Sequence, residues 1–288
     1  MSSETSAYAE MSRTISPART LRKYVNIFRV SLIERMTYRG DFLLGTILRF
    51  FPVVTTILLW KAVFAGNGQR SIAGFNEQRM IAYLLLIHIS RMFSSMPGLS
   101  GAIARDIRDG NLKKYLLQPL NMIGYLLSYR AAHKVAYITT SAGPYAALFL
   151  FCSGYFVGLW PDAVTLAAYL VSLILAFLIG FFFETCMGMV GFWILEVSSL
   201  LWVVNTVNYF VSGQMFPLDL LGHPWDVLLK WLPFQYLAYF PAVVFLREIE
   251  GPKLIEGLLM ELAWAVVLIA CSRMLFARGL RRYSAFGG

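Results

Sequence analysis

From Ala163 to Val211 the chain contains no proline and only two charged residues, Glu184 and Glu196. A helix rises about 1.5 Å per residue, so roughly 20 apolar residues cross a hydrocarbon core of about 30 Å. This stretch is too long for one crossing and fits two, with a turn near Gly188 and Gly191. Lipid offers the backbone no hydrogen bonds, so a crossing segment must bond to itself as a helix or close into a barrel. Runs this long and evenly apolar read as helices. Others lie at about 41–64, 78–96, 122–151 and 254–276, and the opening stretch divides into 163–185 and 194–212. With 58% hydrophobic and 14% charged residues and a mean hydropathy of +0.62, composition points the same way. The expected fold is an all-α membrane protein with six transmembrane helices in one domain over residues 20–282, between tails at 1–19 and 283–288.

The ends of these runs carry their own signals. Residues 1–19 are rich in Ser, Thr, Ala and Arg, lack an apolar stretch, and read as a disordered cytoplasmic tail rather than a cleaved signal peptide. Between 20 and 39, Leu21, Tyr24, Val25, Phe28, Leu32 and Met36 recur at helical spacing, with Arg22, Lys23, Asn26 and Arg29 on the other side. A basic amphipathic helix of this kind lies at the headgroup boundary, or else packs on protein. Gly66-Asn67-Gly68 and Pro97-Gly98 end the first two runs; the third carries Arg130 and Lys134 near its start and an expected kink at Pro144. Cys152, Cys186 and Cys271 are odd in number and sit in or beside apolar runs, as buried thiols rather than a disulfide framework.

Cations orient the chain, because Lys and Arg collect in cytoplasmic loops. Arg13, Arg19, Arg22, Lys23, Arg29, Arg35 and Arg39 precede the first run. Arg105, Arg108, Lys113 and Lys114 follow the second, and Arg273, Arg278, Arg281 and Arg282 end the last. The alternate loops hold only Arg70 in 65–77, none in 152–162, and Lys230 with Arg247 in 213–252. Both termini are therefore expected in the cytoplasm. Trp60, Trp160, Trp225 and Trp231 then form an aromatic belt at the outer interface. The net charge of +9 follows from these loops, with no nucleic-acid partner.

Signatures of chemistry are missing. No Gly-Lys dipeptide occurs, so the chain has no P-loop, and it contains no His-Glu-x-x-His, no Gly-x-Ser-x-Gly and no clustered Cys and His. On this reading the chain is not an enzyme and binds no metal or cofactor itself. Energised transport would place ATP and Mg on another chain.

Two segments stand out. The polar one after the second run reads Ala104-Arg105-Asp106-Ile107-Arg108-Asp109-Gly110-Asn111-Leu112-Lys113-Lys114-Tyr115-Leu116-Leu117-Gln118-Pro119-Leu120. Asp-Gly-Asn marks a break, and Leu112, Tyr115 and Leu116 then fall on one helical face. A short helix with an apolar edge suits docking in a partner's groove, or returns that edge to the membrane. The second segment joins Ser212-Gly213-Gln214-Met215-Phe216-Pro217 to an amphipathic piece, Trp225 to Trp231, bracketed by Pro224 and Pro233.

Together the two segments resemble the permease (transmembrane) subunits of ABC transporters of the type-2 exporter family. Asp106 or Asp109, Gly110, Leu112, Leu116, Leu117, Pro119 and Leu120 match the segment these permeases carry after their second span. Ser212, Gly213, Phe216, Pro217, Trp225, Leu228, Leu229 and Pro233 match the one after their fifth. One departure is that the acidic position, often a Glu followed closely by Gly, has two claimants here, Asp106 and Asp109. The likeness is greatest to a bacterial branch of paired six-span permeases served by a separate ATPase. It implies a chain in the bacterial plasma (inner) membrane, partnered by ABC ATPase subunits and by a second permease chain, homologous or identical. It also implies that Arg105, Asp106, Asp109, Gly110, Leu112, Tyr115 and Leu116 belong to an ATPase-coupling helix. Phe216, Pro217, Trp225 and Trp231 would belong to an outer lid that dips into the outer leaflet.

Polar residues within the apolar runs add candidates. Ser198, Asn205, Asn208 and Ser212 share a helical face that lines a pathway or a permease–permease seam, or else bonds neighbouring helices at about 0.6 kcal/mol each. His88, Arg91 and Ser95 share another, with Arg91 packed and snorkelling. Arg49 is expected to pair with an acid such as Glu184 or Glu196. The main alternative function is an ATP-independent secondary transporter or channel, although the two halves show no repeat. A lipid-modifying enzyme would want His, Asp or Ser converging on one interface, and these are scattered.

Overall fold

The computed structural model describes residues 17–37, 39–67, 71–118, 120–194 and 196–283, without the side chains of 17–20, 39, 41, 42 and 49. The N-terminal tail to residue 16, Pro119, the side chain of Arg49 and residues 284–288 therefore lie outside the described residues. Among them the regular structure is helical: α1 (Pro17–Thr37), α2 (Arg39–Asn67), α3 (Glu77–Ser94), α4 (Leu99–Arg108), α5 (Lys113–Leu116), α6 (Met122–Phe151), α7 (Ala163–Met189), α8 (Ser198–Val211), α9 (Trp225–Trp231), α10 (Tyr239–Phe245) and α11 (Pro252–Arg282). The only pairing of extended backbone among these residues is an isolated bridge between Ile72 and Phe75. The all-helical expectation is met.

Among the described residues, four stretches are long and apolar enough to cross a membrane: Leu43–Gly66, Glu77–Arg108, Ala163–Phe192 and Pro252–Arg282. α6 has the length, at 30 residues, but carries Arg130 and Lys134. α8 has 14 residues, and at about 1.5 Å per residue it falls short of a hydrocarbon core. α6 continues through Pro144 as one helix.

α7 is the hub. It packs against α3, α4, α10 and α11, and glycines let the partners come close. A Cβ on Gly188 would stand 2.7 Å from the Ser100 carbonyl oxygen and from the Ile103 Cβ, and one on Gly191 would stand 3.1 Å from the Ala104 Cα. Gly188, read from sequence as part of a turn, thus lies inside α7 and serves close packing. The chain reverses after it, through a 3-10 turn at Val190–Phe192 and the residues up to Val197. α3 is buried on all sides from Met80 to Ile87, the mark of a helix enclosed by protein. Its first turn is capped by the Asn76 carboxamide oxygen, which accepts from the Arg79 N–H at 2.8 Å.

α1 packs along α6. Tyr24 lies against Gly124, and the Arg35 guanidinium sits 5.0 Å from the Tyr129 ring centre. Leu21, Val25, Val30 and Ile33 remain exposed on its other side. α2 packs on α3 and α6 through a narrow face that includes Thr46, whose hydroxyl lies 2.6 Å from that of Ser141. Leu44, Phe51 and Leu58 face outward.

Candidate functional site

The most built part of the molecule is the joint between α3 and α4. α3 ends at Ser94, the chain turns through Ser95-Met96-Pro97-Gly98 with Gly98 at φ 71°, and α4 begins at Leu99. The carbonyls freed at the end of α3 need donors, and α6 supplies them. Lys134 Nζ donates to the Met92 carbonyl at 2.7 Å and also to that of Ser95, and Arg130 Nη1 donates to the Pro97 carbonyl at 3.1 Å. Two cations at a helix C-terminus also suit its dipole. Ser94 Oγ donates to the Leu237 carbonyl at 2.6 Å and ties the joint to the segment before α10.

α4 then lies on α7 through Leu99, Ser100, Ile103, Ala104 and Ile107. Its end is a Schellman stop. Gly110 takes φ 72°, its N–H approaches the Ile107 carbonyl at 3.4 Å, and the Asn111 N–H donates to the Asp106 carbonyl at 2.9 Å. α5 follows as one four-residue turn, braced by an ion pair of 2.8 Å between Lys114 Nζ and Asp106. The apolar edge expected there is differently composed. Leu112 is 1% exposed and Tyr115 is buried, its ring centre 5.5 Å from that of Tyr125. A four-residue helix has no continuous face, so Leu112 serves as its inward anchor. The leucines that face out are Leu116 and, at 81% exposed, Leu117. Arg105, Asp109, Lys113 and Lys114 are also exposed, Asp106 is half-buried, and Gly110 is buried at the stop.

A cavity of about 430 Å³ opens at the same joint. Arg91, Ser95, Ser100, Glu184, Ser198 and Asn205 contribute its polar lining. The face shared by Ser198, Asn205, Asn208 and Ser212 is therefore split by the fold. The first two border the cavity, whereas Asn208 and Ser212 are buried inside the chain. Glu196 accepts from the Ser198 N–H at 2.9 Å and stands 3.9 Å from Arg108; its expected pairing with Arg49 falls on a side chain outside the described residues.

At the other end of α8, Tyr83 donates to the Gly213 carbonyl at 2.6 Å, and the Tyr239 N–H donates to that of Ser212 at 3.1 Å. Gly213 takes φ 78°, and a Cβ there would stand 2.8 Å from both Tyr83 Oη and Tyr239 Cβ. Asp219 gathers Lys230 Nζ at 2.5 Å and the Tyr239 hydroxyl at 2.7 Å. Of the four lid candidates, Pro217 is buried, Phe216 is half-buried, and Trp225 and Trp231 are exposed on α9. Beyond them every residue from Gln235 to Leu246 is buried, with α10 held between α3 and α7. This is more than a surface cap.

A family model described as "ABC-2 family transporter protein" matches residues 50–287. The chain belongs to the ABC-2 transporter family. A search of curated proteins found no match. Membership makes this ABC-2 protein a type-2 permease subunit, a multi-pass membrane component of a transporter rather than its catalyst, and it implies association with an ABC ATPase. Two features of this ABC-2 protein escape a sequence reading. One is the capping of α3 by Arg130 and Lys134, whose only trace is a pair of cations four apart near the start of an apolar run. The other is Glu261, fully buried on α11 beside Ser172 of α7.

Proposed function

We propose that this chain is the membrane-spanning subunit of an ATP-driven exporter in a bacterial inner membrane. It forms the translocation pathway with a second permease chain, and a separate ATPase binds and hydrolyses ATP with Mg. In this reading α6, and α8 lengthened by the chain on either side of it, complete six passes with the four apolar stretches, and both termini are cytoplasmic, as the Lys and Arg distribution favours. α1 and α9 lie in the two interfaces, with the segment from Phe216 to Trp231 as the outer lid.

The observation that carries the reading is the elbow of α4 and α5. It stops sharply at Gly110, is braced on α7, and offers Leu116 and Leu117 among Arg105, Lys113 and Lys114. An apolar pair rimmed by cations suits a groove on a partner domain, and backbone contact with α7 carries any push on the elbow into the bundle. Arg105, Asp106, Asp109, Gly110, Leu112 and Tyr115 shape this elbow, while Leu116 meets the partner.

The test is co-purification with a co-expressed ABC ATPase from the same genome. Leu116→Asp with Leu117→Asp should abolish co-purification and transport while the permease stays monodisperse. Full association and transport in that variant would refute docking through this elbow.

A further inference from the structure

We propose that the cavity at the α3–α4 joint holds the anionic head group, a phosphate or carboxylate, of an amphiphile, and that Arg91 contacts it. The inference rests on the reading of this chain as the pathway-forming subunit of an exporter.

Arg91 lines the cavity, and among the described residues it makes one hydrogen bond to protein, from Nη1 to Ser94 Oγ at 3.2 Å. No carboxylate among the described residues lies within ion-pair distance of it. A guanidinium carries five N–H donors in a planar fork that matches the two oxygens of a phosphate or carboxylate. A cation on an apolar helix is costly unless something answers it. Arg130 and Lys134 stand at the same joint and donate to its carbonyls. The cavity lining holds one cation, Arg91, and one acid, Glu184, beside Ser100, whose charge acts on Arg91 from beyond ion-pair distance, so that a ligand anion competes with it for the guanidinium. Ser95, Ser198 and Asn205 supply uncharged partners for further ligand oxygens.

The apolar half of the ligand follows from the opposite wall. Trp202, Val203 and Phe210 are exposed on α8, the helix that brings Ser198 and Asn205 to the cavity. A head group at Arg91 would leave its tail along that surface.

The test uses the purified chain in nanodiscs of phosphatidylcholine doped with spin-labelled phosphatidylglycerol, with labelled phosphatidylcholine as reference. Wild type should retain the anionic lipid preferentially. Arg91→Gln should cut that preference about tenfold, as for the loss of a charge-assisted contact, and Glu184→Gln should raise it. A merely structural role for these side chains predicts no such opposite changes. If Arg91→Gln fails to fold, Asn205→Asp places a negative charge on the far wall and should lower the preference in the same way. Added inorganic phosphate should compete weakly; full competition would point to a free anion and overturn the amphiphile. Unchanged preference in the folded variants overturns the site. ATPase co-purification is measured on the same preparations: if it fails in wild type, the ATP-driven exporter reading falls and the lipid result stands by itself.

Discussion

Gly188 of α7 and Ser100 of α4 meet backbone to backbone, with no room between them for even a methyl group. The contact seats the α4–α5 elbow on the hub helix. Gly188→Val should part the two helices, at a cost of about 1–3 kcal/mol for overpacking, and lower the thermal midpoint of the detergent-solubilised chain. Gly143→Ala on α6, where a Cβ meets open space, should leave that midpoint unchanged or slightly higher.

Leu112 points into the fold and Leu117, five residues on, faces out. Leu112→Asp would bury a carboxylate where the side chain is 1% exposed, so the expected outcome is aggregated protein in size-exclusion chromatography. Leu117→Asp at an 81% exposed position should give the wild-type elution profile. Equal profiles for the two variants would contradict the inward anchor.

Much of this architecture could be read from the chain, and the limits have physical causes. Apolar runs of membrane length announced the helices, and paired motifs after the second and fifth runs announced the family. The elbow was legible as a place but not as a surface. Helical spacing put Leu112, Tyr115 and Leu116 on one face because it assumed a helix longer than the single turn from Lys113 to Leu116. Gly188 looked like a turn because glycine favours turns and close helix contacts alike, and only tertiary structure separates the two. Lys134 looked like a charge at the edge of a membrane run; its partners are carbonyls about 40 positions earlier, beyond any local pattern.

Lys134→Met keeps the apolar stem of the side chain and removes the donor. The carbonyls of Met92 and Ser95 then lose a buried partner, at about 1–3 kcal/mol. The thermal midpoint should fall, and protease cleavage near the Ser95–Gly98 joint should accelerate. Unchanged cleavage would mean that the joint holds without its cap.

Asp162 precedes α7 in an exposed loop. The Thr165 hydroxyl, donating at 2.5 Å, holds its carboxyl below the usual carboxylate range, and Arg247 at 3.3 Å adds to this. A depressed value means that the contribution to stability is present above the unfolded pKa of about 3.9 and is lost as pH falls through the folded one. Thr165→Val should move the Asp162 titration, followed by carboxyl carbon NMR, upward. It should also shift the onset of acid unfolding to higher pH.

The buried run from Gln235 to Leu246 has a consequence for biogenesis. α3 and α7 leave the ribosome before it does, so the groove between them is vacant when both have first entered the membrane. Their final embrace has to wait for a plug made later. A nascent chain halted after α8 is therefore a stage at which the bundle is threaded but unsealed, with Tyr83 and Ser94 still lacking the carbonyl or the packing that residues beyond Val211 provide.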